Sequence, residues 1–282
     1  DKLMYLLGLV SSDGSLISNK ESNISRVDFS NKEEALLKKY WQEFTELFPS
    51  TKLRNFKNKD GVTIVRADSL LFHSIATFFG IKKDFKIIFK LPEKLIAAFL
   101  SGYFDGDGYC NVKERCVIYT TKEKLIATRI QQLLKRIGIS SLIIHRESKG
   151  FVNSNVFDIK ITGKKDLTSF CNNIISEHPR KSESLNMVVN SRLDSSEFNF
   201  APKICGTLLR FVRKKYKINQ KELGSSSTIS QVENGLRNIG KTYFKDWINR
   251  IKSIIKNEEP LLNELEKLSS DDFILDEIKE IS

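Results

Sequence analysis

The chain has 282 residues, 40% of them apolar and 19 of them Phe, so it can build about two ordinary cores and is not a disordered tail. It carries 46 Lys and Arg against 35 Asp and Glu, a formal charge of +11 that favours an anionic partner such as nucleic acid or an acidic membrane surface. No apolar run approaches the ~20 residues a bilayer span requires, so no membrane segment is expected, and the short apolar start runs directly into Asp13, unlike a signal peptide.

From the first residue, Leu6–Gly14 reads LLGLVSSDG, an apolar helical stretch closing on Asp-Gly. Strands are expected at Ser15–Lys20 and Ile24–Ser30, then a helix over Lys32–Phe48 with Leu36, Leu37, Tyr40, Phe44 and Phe48 at helical spacing. Strands at Lys52–Lys57 and Val62–Ala67 precede a helix over Ser69–Phe79, with Gly80 as its C-cap. Leu100–Gly108, LSGYFDGDG, restarts the pattern. Strands follow at Tyr109–Lys113 and Arg115–Thr121, a helix at Lys122–Ile137 stopped by Gly138, strands at Ser141–Arg146 and Val156–Thr162, and a helix at Lys165–Ser176. One offset relates Leu6 to Leu100, Asp13 to Asp107 and Arg66 to Lys160. The chain therefore reads as two αββαββα units related by a pseudo-twofold axis.

Ala98, Gly102 and Gly106 share one helix face, and Met4, Gly8 and Ser12 share the matching one. Glycine inside a helix costs about 1 kcal/mol relative to Ala. Such faces make sense if the two helices press together, which would bring Asp13 and Asp107 side by side.

Beyond Pro179 the composition changes. A polar stretch reads as a linker, and Ile204–Tyr216 is basic and amphipathic. Asn219-Gln-Lys-Glu-Leu223, a Gly-Ser-Ser-Ser turn and Thr228-Ile-Ser-Gln-Val-Glu-Asn-Gly235 follow, then helices at Lys241–Lys256 and Leu261–Leu268. The tail from Asp272 to Ile281 alternates like a strand. The expected division is 1–90 and 91–180 for the two halves, 181–200 for the linker, 201–270 for a helical domain and 271–282 for the tail.

The paired segments resemble the signature of the LAGLIDADG homing endonucleases in their single-chain, two-motif form, over roughly Leu3 to Ser176. The first copy departs by having Ser11 where the second keeps Asp105. The resemblance implies an α+β fold, with antiparallel sheets forming a DNA-binding saddle and helices behind it, and an enzyme that cuts a long asymmetric site in double-stranded DNA. It implies that Asp13 and Asp107, with the adjoining Gly14 and Gly108, hold two or three Mg²⁺ ions, Mn²⁺ being an alternative; such hard ions prefer oxygen ligands. Lys160 and Arg66 would stabilise charge or organise water, and Asn31 and Thr121 would position water. Along the strands, Lys20, Arg26, Arg54, Lys57, Lys59, Lys113, Arg115, Arg146 and Lys149 are candidate DNA contacts in a major groove.

The segment from Asn219 to Gly235 resembles the helix-turn-helix of phage-repressor-type DNA-binding domains. That resemblance would place Ser227, Thr228 and Gln231 in a major groove. The tail is similar to the segment joining an intein's endonuclease to its splicing half, so an intein endonuclease portion, monomeric and cytoplasmic, is expected. Two other readings stay open, an RNA splicing maturase and a transcription regulator that kept the scaffold without cutting. The cysteines Cys110, Cys116, Cys171 and Cys205 lack zinc-site spacing, and His73, His145 and His178 are scattered.

Overall fold

A computed structural model of the chain describes residues 1–19, 21, 24–148, 154–190, 200–255 and 259–270, the side chains of residues 147, 148 and 154 excepted. Lys20, Lys149, residues 191–199 of the expected linker and the strand-like tail lie outside the described residues. The chain divides into two compact units, Asp1–Ser195 and Ser196–Ser282.

The first unit repeats one motif. Its first copy is α1 (Lys2–Asp13), β1 (Gly14–Asn19), β2 (Ile24–Asn31), α2 (Glu34–Leu47), β3 (Leu53–Lys57), β4 (Thr63–Asp68) and α3 (Leu70–Phe78). Its second is α4 (Glu93–Asp107), β5 (Gly108–Asn111), β6 (Cys116–Thr121), α5 (Lys124–Arg136), β7 (Leu142–Ser148), β8 (Ser154–Ile161) and α6 (Lys164–Asn173), extended by α7 (Pro179–Asn190). Each copy contributes one four-stranded antiparallel sheet, in the orders β1-β2-β4-β3 and β5-β6-β8-β7. The mixed α and β composition and the expected element order are present.

Local chemistry sets the boundaries. Ser69 caps α3 by accepting from the Phe72 N–H at 3.3 Å. Gly80 and Gly138 follow α3 and α5 with φ of +70° and +76°, a left-handed turn glycine enters without strain. α5 buries Ile126, Ala127, Ile130, Leu133 and Leu134, one apolar stripe facing its sheet. α1 and α4 are different: Met4 to Ser11 and Phe99 to Asp105 are buried without interruption, which marks them as central helices. One continuous core links both copies through this helix pair.

The small-residue faces meet as the spacing implies. A Cβ placed on Gly8 would lie 2.1 Å from the Phe99 carbonyl oxygen, and one on Gly102 would lie 2.1 Å from that of Tyr5. A Cβ on Gly106 would strike the Ser12 hydroxyl. Only hydrogen fits at these three crossings.

The second unit is helical and has its own core: α8 (Lys203–Lys215), α9 (Gln220–Leu223), α10 (Ser226–Glu233), α11 (Lys241–Ile254) and α12 (Pro260–Leu268). Asn219 and Glu222 form a reciprocal capping box at the start of α9. Buried Glu233 accepts from Arg213 at 2.6 and 3.0 Å and from Gln220 at 2.8 Å, which ties α10 to α8 and α9. Gly206 on α8 lets the Val232 carbonyl approach so closely that a Cβ would sit 2.2 Å from it.

Candidate active site

Asp13 and Asp107 are the last residues of α1 and α4, so the helix crossing delivers both carboxylates to one end of the pair. Desolvation, and after it the nearby Asp13 charge, raise the Asp107 pKa to about 6 against the pull of Lys82 and Lys181. Desolvation also raises Asp13, opposed by Lys181, by a hydrogen bond from Asn31 and by Lys82. Asn31 Nδ2 donates to Asp13 Oδ2 at 2.8 Å. Strand register makes Thr121 the counterpart of Asn31, but its Oγ1 accepts from the Glu123 N–H at 3.3 Å and its side chain reaches Tyr103. The two halves of the site are therefore chemically unequal: Asn31 supports Asp13, while Thr121 engages other partners.

Lys82 and Lys181 are functional candidates that the sequence pattern alone did not single out. Lys82 Nζ donates to the Ser12 carbonyl at 2.8 Å, at the end of α1. Lys181 Nζ donates to the carbonyls of Phe104, Asp105 and Gly106 at 2.9, 2.8 and 2.8 Å, at the end of α4. A cation at a helix C-terminus meets the negative end of the macrodipole. Both lysines have lowered pKa values from desolvation, which the two aspartates partly offset. A signal was present: each lysine follows the last helix of its half, at a comparable distance beyond the aspartate.

Arg66 and Lys160 stand on β4 and β8. Register pairs Arg66 with Asp28 and Lys160 with Ile118, so these two are equivalent positions. Arg66 forms a two-pronged pair with Asp28 at 2.9 and 2.7 Å and stacks 4.7 Å over Phe56. Lys160 donates to Glu114 at 2.6 Å. Gly14 and Gly108 open β1 and β5 directly after the aspartates. Asp105 is buried and takes hydrogen bonds from Tyr5 Oη at 2.7 Å, Ser176 Oγ at 2.5 Å and the Glu177 N–H at 2.9 Å. Its place is in the scaffold that locks α4 to α1.

Arg26 and Arg54 both pair with Asp68, and Arg146 pairs with Asp158 at 2.5 Å. Lys57, Lys59, Lys113 and Arg115 are exposed. In the second unit, Ser227 and Gln231 on α10 are exposed and Thr228 is half-buried.

The donor set fits a hard divalent cation. Two desolvated carboxylates repel each other, and an ion between them would remove that cost. Among the described residues no third His, Cys, Asp or Glu completes a cluster with them, so further oxygen ligands would come from backbone, water or substrate. Among the described residues no helix is long and apolar enough to cross a membrane.

Residues 94–174 match the family model described as a LAGLIDADG-like domain. Over 280 residues the chain is 33% identical to a subunit of the A-type ATP synthase of Methanopyrus kandleri, covering 99% of this chain and 26% of that protein. It is 26% identical to the replication factor C small subunit of Thermococcus kodakarensis, over 78% of this chain and 24% of that one. It is 24% identical to the probable translation initiation factor IF-2 of Methanocaldococcus jannaschii, over 67% of this chain and 16% of that one. The chain thus spans about a quarter or less of the length of these relatives. Among solved structures, the homing endonuclease I-DmoI in complex with DNA and Mn aligns at a TM-score of 0.47 and 18% identity, over 68% of this chain and 98% of that one. Full-length DUF199/WhiA from Thermatoga maritima aligns at 0.46 and 18%, over 95% and 90%.

Proposed function

We propose that this chain, which carries a LAGLIDADG-like domain at residues 94–174, is a metal-dependent endonuclease that cuts double-stranded DNA and resides as an intein segment within a longer host protein. The observation that carries the activity is the paired Asp13 and Asp107 at the crossed ends of α1 and α4, each beside a lysine. The observation behind the intein reading is the set of relatives. An A-type ATP synthase subunit, a replication factor C small subunit and a probable translation initiation factor have unrelated names, yet each resembles this chain over a minor part of its length. A segment shared in that way behaves as an insertion and not as a part of any one host's machinery.

Mg²⁺ or Mn²⁺ held by Asp13 and Asp107 would supply an activated water and neutralise charge on the phosphate under attack. The protein's own groups divide the remaining work. An ammonium has three donors. Lys181 uses all three on the α4 carbonyls, so it fixes Asp107 and contributes charge. Lys82 spends one on Ser12 and is left with donors for a phosphate oxygen or a water. Asn31 orients Asp13. Arg26, Arg54, Arg66, Arg146 and Lys160 line the sheet faces, where opposing carboxylates hold them in fixed rotamers for a duplex. In the second unit, α10 would add contacts through Ser227, Thr228 and Gln231, in the manner of a helix-turn-helix.

The test is incubation with a library of randomised duplexes and Mg²⁺. Sequence-selective double-strand cuts that disappear in Asp13→Asn and in Asp107→Asn support the enzyme. Selective binding with no metal-dependent cleavage would overturn it in favour of a regulator.

A further inference from the structure

The outward side of α3 has a composition that its repeat does not share. The offset that carries Arg66 onto Lys160 also carries α3 onto α6, and burial agrees: Phe72 and Ala76 are buried on one helix, Asp166 and Phe170 at the same places on the other. Towards solvent α6 has Lys164, Lys165 and Asn172, the polar face a surface helix normally shows to water. α3 has Leu70, Leu71 and Phe78 at those positions, 68%, 61% and 65% exposed. At about 100° per residue, these three share little more than a quarter of the helix circumference. Ile175, beyond the end of α6, is exposed too, but it follows a polar face. A contiguous exposed apolar patch marks an interaction site, where a single exposed side chain does not.

Charge and size narrow the choice of partner. α3 contains no Asp, Glu, Lys or Arg, although 29% of the chain is charged. A duplex is held by cations that neutralise its phosphates, so this face is not built for DNA. Depletion of charge is what the core of a protein–protein contact shows. Three side chains fall well short of the ~800 Å² per partner that a free-standing complex, or a dimer of this chain, would bury. So small a patch suffices when the partner belongs to the same polypeptide, because tethering supplies an effective concentration of about a millimolar. The relatives have such a partner at hand: the match spans 26%, 24% and 16% of their lengths, so each has further polypeptide joined to the matching segment.

We propose that the outward face of α3, through Leu70, Leu71 and Phe78, docks an uncharged apolar surface of the polypeptide that flanks this segment in its own longer protein. This rests on the intein-segment reading and specifies where the segment touches what surrounds it.

The test is hydroxyl-radical footprinting, read residue by residue by mass spectrometry. It compares the product of the whole gene with the 282-residue segment alone, whose two units each have a core of their own, over a series of dilutions. Leu70, Leu71 and Phe78 should be oxidised readily in the segment, and that labelling should be lost in the longer product. Leu71→Ser combined with Phe78→Ser changes two mostly exposed positions and leaves the core intact. In the longer product this double variant should return Leu70 to the reactivity it has in the segment. Equal labelling of the two proteins overturns the proposal and leaves the intein-segment reading standing. Protection in the segment at every dilution overturns it in favour of a cover from within the 282 residues, and protection lost on dilution overturns it in favour of a second copy. A whole-gene product with the mass of the segment alone overturns both readings, and that mass tells the two failures apart.

Discussion

Replacing Gly8 or Gly102 with Ala tests the crossing on which the candidate site depends. The added Cβ would lie 2.1 Å from a backbone oxygen of the opposite helix in either case, whereas ordinary contact begins near 3.4 Å. The obstructing atom belongs to a helix backbone and cannot rotate aside, so α1 and α4 must separate by about 1 Å or tilt. Overpacking of that kind costs about 1–3 kcal/mol. Both helices are buried throughout, so the upper part of the range applies. For a unit spanning Asp1–Ser195, a loss of that size lowers the melting temperature by roughly 2–4 °C per kcal/mol. A shift of about 1 Å between paired catalytic groups can also lower a rate on the order of 100-fold. Urea titration followed by near-ultraviolet circular dichroism reports the stability, and single-turnover cleavage of the selected duplex reports the rate. Gly61 is the control: a Cβ there meets nothing, so only its φ of +74° resists Ala, and cleavage should persist in Gly61→Ala. An unchanged unfolding midpoint in both Gly8→Ala and Gly102→Ala would refute the close crossing.

Four further outcomes follow from the same geometry. In metal-free buffer, Asp107 keeps its proton in the folded state up to a pKa of about 6, while the unfolded chain has released it above about 3.8. Stability is thus greatest below that window and falls, by at most about 3 kcal/mol, as pH rises through it. Melting curves from pH 4 to 7 in EDTA should show the fall, Asp107→Asn should flatten it, and Mg²⁺ should restore stability at pH 7. Lys82→Met and Lys181→Met should each reduce the cleavage rate more than Arg66→Met or Lys160→Met, because only the first pair acts on the carboxylates directly; single-turnover kinetics on the four variants decides this. Arg213→Ala leaves buried Glu233 without its main partner and should cost the second unit about 3–5 kcal/mol, visible as a lowered unfolding midpoint. Duplex affinity should fall steeply with salt, by about 10³-fold or more between 50 and 200 mM if six or more phosphates are contacted, as measured by fluorescence anisotropy.

Much of the first unit was readable because its rules are local. The alternation of Val27 and Phe29 with Arg26 and Asp28 identifies a strand with one buried face, and the spacing of Ile126, Ile130 and Leu134 identifies a helix with one buried stripe. Repetition did the rest: a single offset carries Gly8 onto Gly102, Asp13 onto Asp107 and Arg66 onto Lys160, and the strand registers keep those positions equivalent. Interior glycines in apolar helices announce a close crossing, since nothing local explains their cost.

What the linear order could not supply was the set of neighbours brought in from far along the chain. Lys82 and Lys181 carry only a loose spacing relative to the two aspartates, and they gain meaning because the chain returns them to the ends of α1 and α4. Asp105 looks like a second acid of the motif until Tyr5, Ser176 and Glu177 are seen to surround it. Arg66 and Lys160 occupy equivalent positions, yet Asp28 and Glu114 engage them, and those partners come from other strands and turns. Periodicity is a property of the backbone and is written in consecutive residues. Desolvation, charge pairing and pKa depend on distances through space, and folding alone sets those.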